Sequence, residues 1–535
     1  MALGVFLSRC GGRIESALDI QAALAGVAGR ASVVRVLDDF FDAGVAEGIS
    51  RDIEEHRLDA VVLAGHSEEH FAKSLSASHL RDAIVAAGVN ANRVAAANIL
   101  EQCALAHPDD VAGATAKARA IIDVAATRAE MAEAVEGEMI RPRSSVLILG
   151  VTAEAVVAAQ RLLRLGYSVV LADREDGSKR AGRAFEMHAT TSYVLDHPQA
   201  RVIDSARLQD GDGYLGDFRI VLESADGLET YRVGGILLAR PDHTEWVSEL
   251  RQHFRVDVDD AGFARSLDPA MHPAETVDPG IMVMPLRRSD AQQVDKVAAA
   301  DAAAMALVLK LSHDTVVHYR DTSAVDTALC GGCATCVRTC AFGACSISDD
   351  GFSDVDIRRC VGCGKCVVSC PVGARDIVSS PHDYLLGAVR DLARAKVEGD
   401  KVIGFLCGGC GYPAADSAAS TVAGRGVGYP SSFLPLRIPC GGRLDALYVL
   451  EAFKVGFEGV CVYRCREGHC HNLVGNLDMD RRVNLLRTVL RSRNIDDARL
   501  RIIDISPFEG EHFIHTLEEV YSTIGGLANG KGGPL

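Results

Sequence analysis

Cysteines in the second half of the chain follow one spacing that occurs twice, and this repeat limits what the segment can fold into. The first copy is CGGCATCVRTC, and the second is CVGCGKCVVSC followed by Pro371. The chain has 17 cysteines, an odd count, and thiols spaced this closely suit metal ligation better than disulfides. The cysteines of the repeat are Cys330, Cys333, Cys336, Cys340, Cys360, Cys363, Cys366 and Cys370.

The repeat predicts a small domain that holds two 4Fe-4S clusters. Three thiolates on a tight loop bind three iron corners, and the fourth iron takes a cysteine from the other copy. Two structural zinc sites are the alternative, but zinc is typically bound by pairs of ligands rather than triplets. The first copy departs from the usual pattern at Ala341, where proline normally follows. The expected ligand sets are Cys330, Cys333, Cys336 and Cys370 for one cluster, and Cys360, Cys363, Cys366 and Cys340 for the other.

A second group of cysteines lies near the C-terminus, in FLCGGCGY, RIPCGG and RCREGHCH. Strand-like runs there end in cysteine, and ligands at the strand ends of an α/β sheet can converge on one site. A C-x2-C pair with further cysteines from distant loops suits either a 2Fe-2S cluster or a zinc ion. The neighbouring cluster domain favours iron. The candidate ligands are Cys407, Cys410, Cys440, Cys465 and Cys470, which offer five thiols for a site of four.

The other residues near these motifs are not assigned as ligands. Cys345 and Cys461 lie outside the ligand spacing and are predicted to be small buried packing residues. His469 and His471 flank Cys470 and are predicted to support the site or to be solvated.

The rest of the chain alternates apolar runs with amphipathic stretches, which predicts α/β layer folds. Examples are the strand-like runs from Val5 to Leu7, Val33 to Leu37 and Ala60 to Ala64, and the helical stretches from Ile14 to Leu24 and Phe41 to His56. A chain of 535 residues is too long for one hydrophobic core. The predicted parts are an N-terminal α/β domain (1–140), a degenerate dinucleotide-binding-like domain (141–320), a double 4Fe-4S ferredoxin domain (321–380), a helical linker (381–400), a C-terminal α/β iron-sulfur domain (401–526) and a flexible tail (527–535).

The segment SVLILG, TAEAVVAAQRLLRLG, YSVVLAD reads as a strand–helix–strand unit of the dinucleotide-binding type. Gly150 ends the first strand, and Asp173 ends the second at about the offset where an acid binds a ribose. Thr152 and Ala155 replace the second and third glycines of the fingerprint, so the backbone cannot approach a pyrophosphate as closely. Gly150, Thr152 and Asp173 therefore form either a flavin or nucleotide site or a structural remnant of one.

Charge and hydropathy exclude some classes of function. The formal net charge is -16, whereas a nucleic-acid partner requires a basic surface. The sequence contains no apolar run of about 18 residues that could cross a bilayer, and MALGVFLSRCGG has no basic region ahead of an apolar stretch. We expect no nucleic-acid partner, no direct membrane span and a cytoplasmic location, with any membrane association made through a partner subunit.

Two known families are recognisable in these motifs. Residues 1–380 resemble the A subunit of heterodisulfide reductase, through GVFLSRCGG, ANILEQCALAHPDD, the strand–helix–strand unit at Val146, HPAETVDPGIMV and the paired cysteine motifs. Residues 400–525 resemble the delta subunit of methyl-viologen-reducing hydrogenase, through FLCGGCGYPAAD, IPCGGRLDALYVLEAFKVGFEGVCVYRCREGHCH and GNLDMDRRVNLLRTVL. The fusion is also similar to the B subunit of quinone-interacting oxidoreductase complexes.

The resemblance implies an iron-sulfur electron-transfer subunit of an oxidoreductase complex. We predict that its cysteines are ligands rather than nucleophiles, and no residue is predicted to be catalytic. It implies a 2Fe-2S cluster among the C-terminal cysteines, and electron exchange with subunits similar to heterodisulfide reductase B or C, a hydrogenase or a formate dehydrogenase. Two alternatives remain open: an FAD-containing subunit that splits electron pairs, and a docking scaffold with zinc in the C-terminal domain.

Two departures from the reductase family qualify this expectation. That family is longer and flavin-dependent, whereas here the glycine-rich loop is degraded and IMVMPLRRSD lacks the usual glycine. The N-terminal domain retains Cys10 and Cys103, with Phe40 and His66 near positions where further thiols would be sought. We therefore expect no cluster in that domain.

Overall fold

The protein is represented by a computed structural model that describes residues 1–527 except 74, 136, 176–187, 241, 260, 267–272, 285–292, 319–320 and 426–427. Leu527, the first residue of the predicted tail (527–535), ends a helix. The rest of that tail and the part of IMVMPLRRSD after Met284 lie outside the described residues. Among the helices in the described part of the chain, none combines the length and apolar character needed to cross a membrane.

The N-terminal part is an α/β layer around a four-stranded parallel sheet. Its elements are β1 Leu3–Ser8, α1 Ile20–Leu24, β2 Val33–Leu37, α2 Val45–His56, β3 Ala60–Gly65, α3 Glu68–Lys73, α4 Leu75–Ala86, β4 Val94–Asn98 and α5 Val111–Met131, with short helical turns at Ala91–Arg93 and Leu100–Ala104. The strand order is β2-β1-β3-β4, and Val5 lies opposite both Val34 and Val62. β1 and β3 are buried throughout, as parallel strands covered on both faces must be.

The middle part combines a parallel sheet with an antiparallel one. Its elements are β5 Glu138–Ile140, β6 Ser145–Leu149, α6 Ala153–Arg164, β7 Ser168–Ala172, α7 His188–Leu195, β8 Ala200–Ile203, β9 Arg207–Tyr214, β10 Asp217–Ser224, β11 Gly227–Val233, β12 Gly235–Leu238, α8 Thr244–His253, β13 Ile281–Val283, α9 Gln293–Leu311 and β14 Val316–His318. The parallel sheet has the order β13-β12-β6-β7-β8. If its strands are numbered along the chain from β6 and read from β8, the order is 3-2-1-4-5, as in dinucleotide-binding folds. The predicted α/β fold class with a dinucleotide-binding-like domain is confirmed.

The cysteine repeat folds as two similar halves. Its elements are β15 Ser323–Val325, α10 Thr335–Thr339, β16 Cys345–Ile347, β17 Ser353–Val355, α11 Lys365–Ser369 and β18 Arg375–Ile377. β15 pairs with β18 and β16 with β17, both antiparallel. Ala334 and Gly364 precede the two helices with φ of 57° and 75°. Ala334 therefore adopts a left-handed conformation that costs about 1–2 kcal/mol in a residue with a Cβ.

The C-terminal part is another α/β layer, whose strands lie in the order β20 (Phe433–Ile438), β19 (Val402–Cys407), β21 (Gly459–Cys465) and β22 (Leu500–Ile505). The predicted helical linker (381–400) contains the helix His382–Ala393. This helix packs into the layer, because Leu385, Ala388 and Leu392 belong to the hydrophobic core of the layer. The elements are α12 His382–Ala393, β19 Val402–Cys407, α13 Gly411–Arg425, β20 Phe433–Ile438, α14 Ala446–Lys454, β21 Gly459–Cys465, α15 Gly475–Ser492, β22 Leu500–Ile505 and α16 Gly510–Leu527, with short turns at Gly441–Arg443 and Asp497–Arg499.

Candidate iron-sulfur centres

One set of thiols from both copies of the repeat lines a single cavity, and we call it the outer thiol group: Cys330, Cys333, Cys336 and Cys370. The Ser353 N–H donates to Cys330 Sγ at 3.4 Å, and the Ala374 N–H donates to Cys370 Sγ at 3.2 Å. Backbone donors of this kind stabilise thiolate charge and tune a bound cluster. The structure thus brings together the four cysteines that the spacing predicts for one cluster.

The remaining cysteines of the repeat form the inner thiol group: Cys340, Cys360, Cys363 and Cys366. Burial, together with the charges of the other three thiols, raises the pKa of the Cys363 thiol to about 12. These four side chains therefore lie within electrostatic reach of one another, although Cys340 comes from the first copy. This is the second predicted ligand set.

Cys345 and Arg375 lie beside these two thiol groups. The spacing of the cysteines did not predict that either residue contacts the groups. Hydrogen bonds with Cys345 lower the pKa values of Cys340 and Cys366. Arg375 is 3% exposed and donates from one nitrogen to Cys345 Sγ at 2.8 Å and from the other to Ser353 Oγ at 3.2 Å. Because Ser353 contacts the outer group, one buried cation adjoins both groups.

The C-terminal cysteines converge at the carboxyl edge of the last sheet, and we call them the C-terminal thiol site: Cys407, Cys410, Cys440, Cys465 and Cys470, all buried. Cys407 and Cys465 end the neighbouring strands β19 and β21, and their Sγ atoms lie 3.5 Å apart. With Cys410 they form a triad whose sulfur atoms all lie within 4.8 Å of one another.

The other two cysteines of this site form a pair next to the triad. A hydrogen bond with Cys470 raises the pKa of Cys440, while Cys470 also hydrogen-bonds to Cys465. An added Cβ at Gly475 would lie 2.4 Å from Cys440 Sγ, so the first turn of α15 closes over this pair. Cys461, predicted to be a packing residue, is fully buried within β21.

His471, which the sequence predicts to support the site or to be solvated, contacts the triad directly. Its Nδ1 lies 3.4 Å from Cys465 Sγ and 3.9 Å from Cys410 Sγ. Its Nε2 lies 2.8 Å from Asp257 Oδ1, and both side chains are 4% exposed. Burial lowers the pKa of His471, but Asp257 outweighs it and the pKa is raised. A carboxylate behind an imidazole is a common way to orient a ring at a metal site, and here the middle domain supplies the carboxylate.

The inner thiol group adjoins the C-terminal thiol site. Cys363 packs against the core that contains the C-terminal cysteines, and its charge adds to the raised pKa of Cys440, whose largest cause is Cys470. Lys365 Nζ lies 2.6 Å from Asp478 Oδ2. The start of α11 is thereby fixed against the start of α15.

The turn between β6 and α6 does not form a pyrophosphate cradle in the described part of the chain. Gly150 retains a positive φ of 92°, but an added Cβ there would lie 2.5 Å from Arg240 Cγ, so this side chain fills the space. Thr152 Oγ1 accepts the Ala155 N–H at 3.1 Å and so caps the helix. Asp173 accepts the Glu175 N–H at 3.4 Å. In this arrangement the residues of the degraded fingerprint do not fit a bound dinucleotide.

Comparisons with known proteins match different parts of the chain to different families. The family model for the methyl-viologen-reducing hydrogenase delta subunit matches residues 402–528, and a 4Fe-4S binding domain model matches residues 352–374. The iron-sulfur D subunit of the vhc F420-non-reducing hydrogenase of Methanococcus voltae is 37% identical over 124 residues, which cover 23% of this chain and 83% of that protein.

The A subunit of the ferredoxin/F(420)H(2)-dependent CoB-CoM heterodisulfide reductase of Methanosarcina acetivorans is 40% identical over 195 residues, which cover 36% of this chain and 24% of that protein. The chain thus spans about a quarter of the length of that relative. Thioredoxin reductase of T. acidophilum shares 13% identity at a TM-score of 0.21, over 32% of this chain and 100% of that chain. A TM-score of this size does not establish a shared fold.

The folds and the grouped thiols define an iron-sulfur protein with a 4Fe-4S binding domain. Through residues 402–528 the chain belongs to the methyl-viologen-reducing hydrogenase delta subunit family, and another part of it is homologous to the A subunits of heterodisulfide reductases. The predicted fusion of these two families is confirmed.

Proposed function

We propose that this chain is the electron-transfer subunit of a heterodisulfide-reductase-like oxidoreductase complex, and that it relays electrons between a C-terminal 2Fe-2S site and two 4Fe-4S clusters. The observation that supports the proposal is that the outer thiol group adjoins the inner one, which in turn adjoins the C-terminal thiol site. Arg375 adjoins both the outer and the inner group, and Cys363 packs against the core of the C-terminal site. Iron-sulfur clusters, when bound, supply one-electron steps.

The ligand sets of the two 4Fe-4S clusters are the outer and the inner thiol group. The outer group supports this assignment because its four thiols share one cavity. In the inner group the Ala344 N–H donates to Cys340 Sγ at 3.3 Å, as the Ala374 N–H does for Cys370 in the outer group. The fourth cysteine of each copy of the repeat therefore accepts an equivalent backbone hydrogen bond. The proposal includes the predicted domain boundaries, with the helical segment 381–400 packed against the C-terminal domain.

The C-terminal thiol site can divide its cysteines between two irons. A 2Fe-2S cluster with cysteine ligands takes two thiolates per iron, and Cys440 with Cys470 already forms a hydrogen-bonded pair. We assign this pair to one iron and two thiols of the triad to the other, with His471 alongside. A zinc ion on the triad and His471 is the competing assignment, because three thiolates and one imidazole are an ordinary zinc ligand set.

The partners proposed for this chain follow from its relatives, which are named as subunits of heterodisulfide reductases and hydrogenases. We propose that the chain works with subunits of those kinds, in the cytoplasm, with any membrane contact made by a partner. Nucleic acid is not a proposed partner, because the net charge is -16.

The test measures the amounts of iron, sulfide, zinc and flavin per chain in anaerobically purified protein. Electron paramagnetic resonance (EPR) of the reduced sample then identifies the clusters. We expect about ten irons, from two 4Fe-4S clusters and one 2Fe-2S cluster. About eight irons with one zinc would refute the C-terminal 2Fe-2S assignment, and one FAD per chain would favour the electron-splitting alternative.

A matched pair of variants assigns the C-terminal signal to its ligands. Cys440→Ser should lose the 2Fe-2S signal and keep both 4Fe-4S signals. Cys461→Ser changes a cysteine that is equally buried in the same domain and should keep all three. Loss of the same signal in both variants would show that the domain, rather than the ligand set, had been disturbed.

A further inference from the structure

The outer thiol group opens onto a surface that the described residues leave exposed. Cys333 is exposed, and three apolar side chains around it are 53%, 37% and 56% exposed: Leu329, Phe352 and Val372. Single exposed apolar residues are ordinary, but a group of them around one site indicates an interaction surface. We call this surface the outer face; it also includes Asp326, Asp349 and Asp350.

Contacts between chain segments place these residues on one surface. Val372 lines the same cavity as Cys333, and Leu329 directly precedes the first ligand of the outer group. The turn between β16 and β17 carries Asp349, Asp350 and Phe352. This turn abuts the first cysteine loop, because an added Cβ at Gly332 would lie 2.3 Å from the Gly351 carbonyl oxygen.

The outer face carries an excess of negative charge. Asp326, Asp349 and Asp350 are exposed, against Arg338, whose guanidinium donates to the Cys333 carbonyl oxygen at 3.4 Å. Four cluster-bound thiolates would make the face more negative still. The inner group is more enclosed: its four cysteines are buried or half-buried, Lys365 is 2% exposed, and Cys363 packs against the C-terminal core. The outer group is therefore the exposed end of the series.

We propose that the outer face docks a separate electron-transfer protein, one that presents an apolar patch rimmed by lysine and arginine. This inference rests on the proposed function and names where the partner binds and what its surface is like. One electron leaves the reduced outer cluster and one enters the redox group of the partner, with no bond made or broken and no proton moved. A small apolar contact with complementary charge is typical of transient redox encounters, in which charge sets the association rate.

The test measures electron transfer from the reduced full-length protein, freed of excess reductant, to a basic c-type cytochrome as probe. In the variant Asp349→Asn/Asp350→Asn we expect the second-order rate constant to fall several-fold at low ionic strength. The difference should disappear at high ionic strength, where surface charges are screened. An acidic flavodoxin, as the opposite probe, should react faster with this variant than with the wild type.

The control is Glu54→Gln/Glu55→Gln, which removes the same charge from exposed positions on α2. If both variants slow the cytochrome reaction equally, overall charge explains the rate and the docking face is refuted. Equal rates in wild type and Asp349→Asn/Asp350→Asn refute it as well, provided that both proteins show the 4Fe-4S signals. Absence of those signals from the wild type would instead refute the proposed function.

Discussion

Replacing Asp478 with alanine is expected to destabilise the contact between the inner thiol group and the C-terminal site. The Lys365 side chain is 3% exposed, and its Nζ lies 2.6 Å from Asp478 Oδ2. Alanine at 478 leaves the ammonium group buried without its counter-charge, and breaking a buried pair in this way costs about 3–5 kcal/mol. The Asp478 side chain is itself 24% exposed, so we expect the lower end, about 3 kcal/mol.

The assay is denaturant unfolding of the cluster-loaded protein, followed by the visible absorbance of the clusters. Lys365→Met/Asp478→Leu should recover most of the lost stability, because it removes both charges and keeps apolar volume. Arg481, which also forms an ion pair with Asp478, is 80% exposed, so Arg481→Ala should cost less than about 1 kcal/mol. If Asp478→Ala costs no more than Arg481→Ala, burial of Lys365 does not set the energy and the reasoning is wrong.

Three further predictions concern residues around the thiol groups and the first sheet. Asp257→Ala should alter the EPR signal of the C-terminal site and leave the 4Fe-4S signals unchanged, because it removes the contact that orients His471. Arg375→Leu should lower the 4Fe-4S reduction potentials in a redox titration, because a buried positive charge favours the reduced clusters; Arg375→Lys should lower them less. Burial lowers the pKa of His66, but hydrogen bonds with Cys10 and Glu101 raise it from 6.5 to about 9. The folded pKa lies above the unfolded one, so His66 contributes about 3 kcal/mol below pH 6.5, and this is lost as the pH rises through 9. The unfolding midpoint of His66→Gln should therefore fall furthest below wild type near pH 6 and approach it above pH 9.

The strands were predictable because buried parallel strands are continuous apolar runs. The runs at Val33 and Ala60 begin β2 and β3 where the sequence placed them. The helices predicted to begin at Ile14 and at Phe41 begin later, at Ile20 and Val45, and local backbone chemistry explains both shifts. Asp19 caps α1 by accepting the Ala22 N–H, and Gly44, with a φ of 82°, precedes α2, so neither helix extends back to its apolar start.

The cysteine groups were predictable because most of their ligands are close together in sequence. The residues that surround them were not, because they come from distant segments that only the folded chain brings together. Asp257 reaches His471 from the middle domain, and Arg375 reaches across to Cys345 and Ser353. A lone aspartate or arginine in a sequence carries no sign of such a contact.

A comparison of the first and last sheets separates what strand order contributes to a site from what the side chains contribute. Both sheets place their first and third strands side by side in the centre, and the crevice beyond the ends of such strands is where ligands bind in open α/β folds. In the last sheet these two strands end in Cys407 and Cys465. In the first sheet they end in Ser8 and Gly65, and the residue after Gly65 is His66.

The crevice of the first sheet therefore has a different chemistry from that of the last. His66 Nε2 lies 3.7 Å from Cys10 Sγ, and its Nδ1 lies 3.0 Å from Glu101 Oε1. One thiol, an imidazole and a carboxylate thus occupy the place where the C-terminal domain gathers five thiols. The strand order determines where each domain can form a site, and the residues at the strand ends determine whether that site has the ligands for a cluster.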